Sequence, residues 1–170
     1  MTHESGEVLT SNYFLEPGYI FIASEPTVIS TVLGSSVAVC IYDRKRKTGG
    51  MNHFLFPEPD KGIEPTAQYG NAATTELIRM MKTDGSQIKH LESQILGGGY
   101  NPDVSSIDIG RRNIMVARRV LTRHGIRVVS EDVGGAKGRK IVFHSNINEI
   151  AILKVDRIRR SDWYPYEGHR

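Results

Sequence analysis

The strongest constraint on the fold is a stretch in the first third of the chain where three short apolar runs are separated by glycine-containing turns. The runs are Val28–Leu33, Val37–Tyr42 and Met51–Phe56, and the turns contain Gly34-Ser35-Ser36 and Gly49-Gly50. Short runs rich in β-branched side chains and bounded by glycine predict buried strands rather than helices. The polar corner between the first two runs interrupts this pattern, and such interruptions are often functional.

Two polar side chains in this stretch suggest chemistry. Ser36 carries a small hydroxyl at the corner, and His53 lies in the third run. A nucleophile on a rigid turn, a nearby base and backbone N–H groups together can support acyl transfer. Ser30 or Thr31, on the incoming strand, could hold the imidazole. The spacing Gly-x-Ser-x-Ala is similar to a hydrolase nucleophile elbow, but that motif requires a strand-to-helix turn and is excluded because a strand follows here.

The sequence patterns in the rest of the chain predict two helices and five further strands. Three- and four-residue apolar spacing indicates helices at Gln68–Thr83 and Arg111–Arg123. The predicted strands are Tyr19–Ala23, His90–Leu96, Ile126–Val133, Lys140–His144 and Glu149–Val155. Hairpin-like connections favour an α+β sandwich with mixed or antiparallel sheets. We expect one domain over residues 1–170, with residues 1–15 and 157–170 flexible or peripheral.

Composition narrows the function classes. The chain has 170 residues with a net charge of +3 and scattered basic residues, which is weak support for nucleic-acid binding, so we expect no nucleic-acid partner. A single cysteine excludes an intrachain disulfide and a cysteine-cluster metal site. The sequence contains no apolar segment long enough to span a membrane and no secretion signal. We therefore expect a cytoplasmic protein, not embedded in a membrane, without metal or cofactor.

Several motifs together resemble those of CheD, the family of bacterial chemoreceptor glutamine deamidases. The similarity runs from about Tyr19 to Val155 in the correct order. The segments that carry it are Ser30–Cys40, Gly49–Pro57, Leu96-Gly97-Gly98, Ile109–Asn113, Glu131–Gly135 and Gly138-Arg139-Lys140.

The resemblance implies a fold, a reaction and partners. The implied fold is a three-layer α/β/β sandwich with two main helices on one face, similar to the catalytic domain of cytotoxic necrotizing factor toxins. The implied reaction is hydrolysis of receptor glutamine side chains to glutamate with release of ammonia, so methyl-accepting chemotaxis proteins would be the substrates. The resemblance also implies a CheC-type phosphatase as a binding partner.

One residue departs from the family pattern. Ser36 stands where the family has its nucleophilic cysteine, His53 matches the catalytic histidine, and Ser30 falls on the catalytic threonine. A thiol ionises beside a histidine near neutral pH, whereas a serine hydroxyl does not. We therefore predict that this chain deamidates very slowly or not at all. The serine is either an introduced substitution, which an otherwise intact site favours, or the residue of a natural homologue retained for binding.

Four other interpretations of the sequence are considered. The chain could be a non-catalytic adaptor that binds receptors or the phosphatase, or a serine hydrolase of small amides or esters. Cys40 could be a displaced nucleophile, but a lone cysteine in an apolar strand is usually an inert core residue. Gly97-Gly98-Gly99 could cradle a phosphate, but no helix begins directly after it, so a loop at the wall of the site is favoured.

Overall fold

The structure is a computed structural model that describes residues 9–157. It contains two helices, nine strands and a 3₁₀ turn at Ile88–His90 within that range. The helices are α1 (Gly70–Thr83) and α2 (Ile109–Arg123). The strands are β1 (Ser11–Phe14), β2 (Ile20–Ile22), β3 (Thr27–Leu33), β4 (Val37–Asp43), β5 (Thr48–Asn52), β6 (Leu91–Gly97), β7 (Arg127–Val133), β8 (Gly138–His144) and β9 (Glu149–Val155).

The strands form two mixed sheets. One has the order β1-β3-β8-β9 and the other has the order β2-β5-β4-β6-β7. The β1–β3 and β6–β7 pairs are parallel, and the other pairs are antiparallel. The predicted α+β sandwich with mixed sheets is confirmed.

Strand β4 lies at the centre of the molecule, and all seven of its residues are buried. Its side chains alternate between two cores, as expected for a strand covered on both faces. Val37, Val39 and Ile41 pack with residues of both helices. Ala38 and Cys40 pack with residues of the four-stranded sheet. The layers are therefore helices, five-stranded sheet and four-stranded sheet.

The helices pack on the five-stranded sheet through amphipathic faces. The buried residues of α1 are Gly70, Ala73, Thr74, Leu77, Ile78 and Met81, and those of α2 are Gly110, Asn113, Ile114, Val116, Ala117, Val120 and Leu121. Helix α2 begins two residues before the predicted start, because the Asp108 side chain accepts a hydrogen bond from the Arg111 amide and caps the first turn.

Two parts of the sequence prediction require correction. Strand β5 ends at Asn52, so His53 follows the strand rather than lying within it, and Phe54 makes only an isolated bridge with Val37. Residues 11–14, which were expected to be peripheral, form β1 and pair with β3. Ile158–Arg170, which includes most of the predicted flexible tail, lies outside the described residues.

Candidate active site

The corner between β3 and β4 and the residue after β5 are held side by side by backbone hydrogen bonds. The Val37 amide donates to the Phe54 carbonyl at 3.1 Å, and the Phe54 amide donates to the Val37 carbonyl at 3.0 Å. This reciprocal pair places the preceding residues, Ser36 and His53, next to each other. The His53 amide also donates to the Tyr19 carbonyl at 3.2 Å.

A chain of short contacts connects three side chains and one carbonyl. Nε2 of His53 lies 2.8 Å from Oγ of Ser36, and Nδ1 lies 2.8 Å from Oγ1 of Thr31. The Thr31 hydroxyl donates to the Leu15 carbonyl at 2.8 Å. All three side chains are buried; Ser36 is 3% exposed. The structure therefore brings Ser36 and His53 together and adds Thr31.

Ser30 does not take the place that the family resemblance suggested for it. The hydroxyl in contact with Nδ1 of His53 belongs to Thr31, the next residue along β3. Successive side chains of a strand point to opposite faces, so Ser30 and Thr31 face different layers. Thr31 faces the buried side, whereas Ser30 is half-buried and lies opposite Val142 of β8. On this geometry Thr31, and not Ser30, lies against the imidazole of His53.

The hydrogen-bond chain determines the tautomer of His53. A threonine hydroxyl has one proton, and Thr31 donates it to the Leu15 carbonyl. Its oxygen must then accept a hydrogen bond from Nδ1–H of His53. In a neutral imidazole Nε2 is then unprotonated and accepts from the Ser36 hydroxyl. This arrangement presents His53 to residue 36 as a base.

Burial controls the basicity of this imidazole. Burial of the ring lowers the pKa of His53 from 6.5 to about 4, and a hydrogen bond with the Leu15 backbone partly opposes the shift by raising the pKa. Both the Thr31 hydroxyl and the Leu15 backbone are uncharged, so they stabilise an imidazolium less than a carboxylate would. His53 is therefore neutral at neutral pH and is a weak base towards a serine hydroxyl.

The carbonyls of the Gly34-Ser35-Ser36 corner are each held by a donor. The Gly99 amide donates to the Gly34 carbonyl at 2.9 Å, and the Gly98 amide donates to the Ser36 carbonyl at 2.8 Å. Nδ2 of Asn113 donates to the Ser35 carbonyl at 3.0 Å. Within residues 9–157 the amides of Ser35 and Ser36 have no protein acceptor. Unpaired amides next to a nucleophile can bind a developing oxyanion.

The turn Gly97-Gly98-Gly99 forms a wall of the site, as the sequence predicted. Gly97 and Gly98 have φ angles of 101° and 67°, in the region that favours glycine. A Cβ on Gly97 would overlap the Ser36 carbonyl, and one on Gly98 would overlap Ile114. The glycines therefore allow the end of β6 to approach the corner closely enough for two hydrogen bonds.

Cys40 is separate from this site. It lies in β4 within the core between the two sheets and is completely buried. Burial raises the pKa of the Cys40 thiol, so the thiolate needed for nucleophilic attack is suppressed. The interpretation of Cys40 as a core residue agrees with this position.

Comparison with known proteins agrees with the geometry. A family model described as CheD chemotactic sensory transduction matches residues 55–154, more than half of the chain. A protein of Sulfurimonas denitrificans named "Probable chemoreceptor glutamine deamidase CheD" is 35% identical over 147 residues, which cover 85% of this chain and 94% of the relative. The chain belongs to the CheD family.

Other CheD relatives are similar over comparable lengths. A protein of Trichlorobacter lovleyi with the same name is 37% identical over 147 residues, covering 85% of this chain and 91% of its own. A relative from Methanococcus vannielii, also so named, is 32% identical over 145 residues, covering 84% and 94% of the two chains. The family-model match begins at Leu55, after Thr31, Ser36 and His53.

A cleft adjoins the corner of this CheD family member. It has a volume of about 580 Å³ and a largely apolar wall. Gly34 and Ser35 of the corner line it, and its apolar lining residues are Leu55, Phe56, Tyr100, Val104, Ile107 and Ile109. Ser36 follows Gly34 and Ser35 in the chain and is almost fully buried.

Two participants in the site were missed or left ambiguous by the sequence. Asn113 gave one usable signal, because it is a polar residue on the otherwise apolar face of α2. The Leu15 carbonyl gave none, since a backbone acceptor carries no side-chain signature.

Within residues 9–157, no group of three or more His, Cys, Asp or Glu side chains could hold a metal ion. Neither helix in this range has the length and apolar character of a membrane span.

Proposed function

We propose that residue 36, His53 and Thr31 form the catalytic site of a chemoreceptor glutamine deamidase in which the nucleophile has been replaced by serine. The observation that carries the proposal is the hydrogen-bond chain from Ser36 through His53 to Thr31, with 2.8 Å at each step, in a member of the CheD family. The names of the relatives supply the receptor-glutamine substrate.

With a cysteine at residue 36, the site has each part that amide hydrolysis requires. The thiolate attacks the glutamine carboxamide carbon, and the amides of Ser35 and residue 36 stabilise the oxyanion. The His53 imidazolium gives its proton to the departing ammonia, leaving a thioester. Neutral His53 then removes a proton from water, which attacks the thioester and releases glutamate and the thiol. A thiolate also supplies the negative charge that a buried imidazolium needs.

With Ser36, the first of these steps is impaired. His53 must remove the hydroxyl proton during attack, and its pKa of about 4 makes that transfer unfavourable. The resulting imidazolium has Thr31, and not a carboxylate, at Nδ1. The chain as written is therefore expected to hydrolyse amides slowly or not at all.

The apolar lining of the cleft and the burial of Ser36 support glutamine as the substrate side chain. Ser36 is almost fully buried, and a glutamine side chain is unbranched and ends in a planar carboxamide, so it is slender enough to approach such an atom. The apolar wall next to Gly34 and Ser35 includes Phe56 and Val104, which are 43% and 82% exposed. Such a surface suits the apolar side chains around a glutamine on a receptor helix.

Ser36→Cys tests the function directly. Purified chain and variant are incubated with the cytoplasmic fragment of a chemoreceptor, and glutamine conversion is followed by peptide mass and ammonia release. The variant should convert receptor glutamines at least about 100-fold faster than the chain with Ser36. Ser36→Cys with His53→Ala is the matched control and should be inactive.

The same experiment separates the alternatives. Retained receptor binding without conversion by the Ser36→Cys variant would favour the adaptor. Conversion by the chain with Ser36, together with labelling of Ser36 by a fluorophosphonate, would favour a serine amidase, an alternative that the Ser36–His53 hydrogen bond supports. A CheC-type phosphatase partner and a cytoplasmic location stay predictions.

A further inference from the structure

Asn113 connects the two segments that carry the catalytic pair. It lies on the buried face of α2 and is 0% exposed. Its Nδ2 donates one hydrogen bond to the Ser35 carbonyl and another to the Leu55 carbonyl, each at 3.0 Å. Ser35 precedes Ser36, and Leu55 lies two residues after His53. One side chain therefore joins the nucleophile corner to the segment that follows the histidine.

The unpaired end of the side chain is also informative. Oδ1 of Asn113 is buried and has no hydrogen-bond partner within residues 9–157. A buried acceptor without a partner is unfavourable for folding. Both amide protons are used, and both go to the site. The Asn113 side chain thus donates two hydrogen bonds to the site, while its own carbonyl oxygen stays buried without a donor in the described part of the chain.

The planarity of the peptide bond makes this contact relevant to catalysis. The carbonyl of Ser35 and the N–H of Ser36 belong to one trans peptide unit, so they point in opposite directions. When Asn113 holds the carbonyl towards α2, the N–H of Ser36 is directed away from the helix. That N–H has no protein acceptor within the described residues.

We propose that Asn113 is a positioning residue that orients the Ser36 amide as an oxyanion donor. It acts through the peptide plane and does not touch the reacting atoms. This inference rests on the proposed acyl-transfer chemistry at residue 36. It does not depend on which amide or ester is the substrate.

Two small probes of a cysteine at residue 36 test the inference. p-Nitrophenyl acetate acylates a thiol through a tetrahedral oxyanion, whereas iodoacetamide alkylates it by direct displacement without one. In the Ser36→Cys background, Asn113→Ala and the isosteric Asn113→Asp should slow acylation about tenfold or more, because a single oxyanion donor contributes at least that much. Alkylation should change by less than about threefold, since His53 keeps its contacts with Thr31 and residue 36.

The controls separate orientation from general stability. Val120→Ala removes buried volume from the same face of α2 without touching the corner. In this control the ratio of acylation rate to alkylation rate should equal that of the Ser36→Cys parent. Both rates are measured on one preparation, so a partly unfolded fraction affects them together. Asn113→Ser is the milder substitution if the alanine variant does not fold. Receptor-glutamine conversion is measured in parallel and should follow the acylation rate.

Each outcome decides between the possibilities. If the ratio of acylation rate to alkylation rate is the same in the Asn113 variants as in the Ser36→Cys parent, the inference is overturned. This includes the case in which both rates fall by the same factor. A Ser36→Cys parent whose new thiol is acylated no faster than a cysteine in an unstructured peptide also overturns it, because no oxyanion donor would then be acting. A parent that converts no receptor glutamine, with the ratio still lowered by the Asn113 variants, refutes the proposed substrate and supports the inference.

Discussion

At the level of single residues, the imidazole of His53 depends on a hydroxyl whose proton is already committed to a backbone carbonyl. Thr31 receives the Nδ1–H of His53 only because it donates to Leu15. A serine or threonine without that outer acceptor could donate to Nδ1 instead and reverse the tautomer. The acceptor at Leu15 therefore belongs to the function as much as the hydroxyl does.

Thr31→Val should reduce catalysis while a change at its neighbour should not. In the Ser36→Cys background, valine keeps the shape of Thr31 but leaves Nδ1 of His53 without this partner. We expect kcat for receptor deamidation to fall about 10- to 100-fold, in line with the loss of a group that orients a catalytic base. Ser30→Ala is the matched control and should keep at least half the activity. The opposite result would return Ser30 to the site.

The buried histidine should make folding sensitive to acid. The unfolded chain binds a proton at His53 below about pH 6.5, and the folded chain only below about pH 4, because burial lowers the folded pKa. Between these values the unfolded state holds more protons, so stability falls as the pH falls. The full effect is about 3 kcal/mol, reached below the folded pKa.

Urea unfolding of the chain and of His53→Gln at pH 7 and pH 4.5 measures this contribution. The loss of unfolding free energy between the two pH values should be about 2–3 kcal/mol smaller in the variant. Carboxyl groups titrate equally in both proteins and cancel in the difference. Equal losses would show that His53 is not held neutral by burial.

The site residues show how far a sequence can specify atoms. Ser36 was found because a polar, glycine-containing corner interrupts the apolar runs, and His53 because its imidazole lies on a neighbouring run; both also match the family pattern. The choice between Ser30 and Thr31 depends on which side of β3 faces His53. The residues alone leave Ser30 and Thr31 open, and the family resemblance favours Ser30. A shift of one residue along a strand reverses the side-chain direction, so the packing of β3 is needed to separate them.

Among the secondary-structure elements, the packing of α2 against the Gly97–Gly99 turn is the contact most sensitive to added volume. A Cβ on Gly110 would overlap the carbonyl oxygens of Gly98 and Gly99. Gly110 lies in the first turn of α2, and Asn113, which contacts the corner, lies about one turn later. Both contacts bring the helix to the corner.

Gly110→Ala should therefore destabilise the protein although alanine favours helix. Helix propensity alone predicts a gain of about 1 kcal/mol. Overlap with backbone atoms that cannot rotate away should outweigh it and leave a net loss of about 1–3 kcal/mol. Urea unfolding midpoints of the chain and of the Gly110→Ala variant give the comparison. A more stable Gly110→Ala variant would contradict the close packing.

The elements that were predicted well have strong periodicity, and those that were missed do not. Helices α1 and α2 were recognised from their apolar spacing and their ends at Gly85 and Gly125, which have positive φ. Strand β1 has only four residues, Ser11–Phe14, without an alternating apolar pattern, and it pairs in parallel with β3. Such tertiary pairing leaves no local pattern to detect.

For the whole molecule, the two-core architecture predicts how Cys40 reacts. The thiol lies in the core between the sheets, beneath the central strand of the five-stranded sheet. It can meet a reagent only when that core opens. In the chain as written, alkylation of this single cysteine should be negligible in native buffer and should rise with urea along the global unfolding curve.

Labelling of Cys40 by iodoacetamide, followed by intact mass at increasing urea concentrations, makes the measurement. Its midpoint should coincide with that of far-UV circular dichroism. Fast labelling in native buffer would mean that the sheets separate locally, and would reopen the interpretation of Cys40 as a displaced nucleophile. The three-layer order itself was implied by the family resemblance, and the order of the predicted elements indicated an α+β sandwich.

The dependence of Thr31 on Leu15 reaches back to the beginning of the described chain. Leu15 directly follows β1, and the pairing of β1 with β3 holds its carbonyl near Thr31. The position at which an expressed protein starts, and a tag attached there, can therefore affect the site. A shortened version beginning after residue 15 would keep Thr31, residue 36 and His53 yet lose the acceptor that sets their proton pattern. Assays intended to judge the catalytic residues therefore need an intact amino-terminal strand, with any tag placed at the other end.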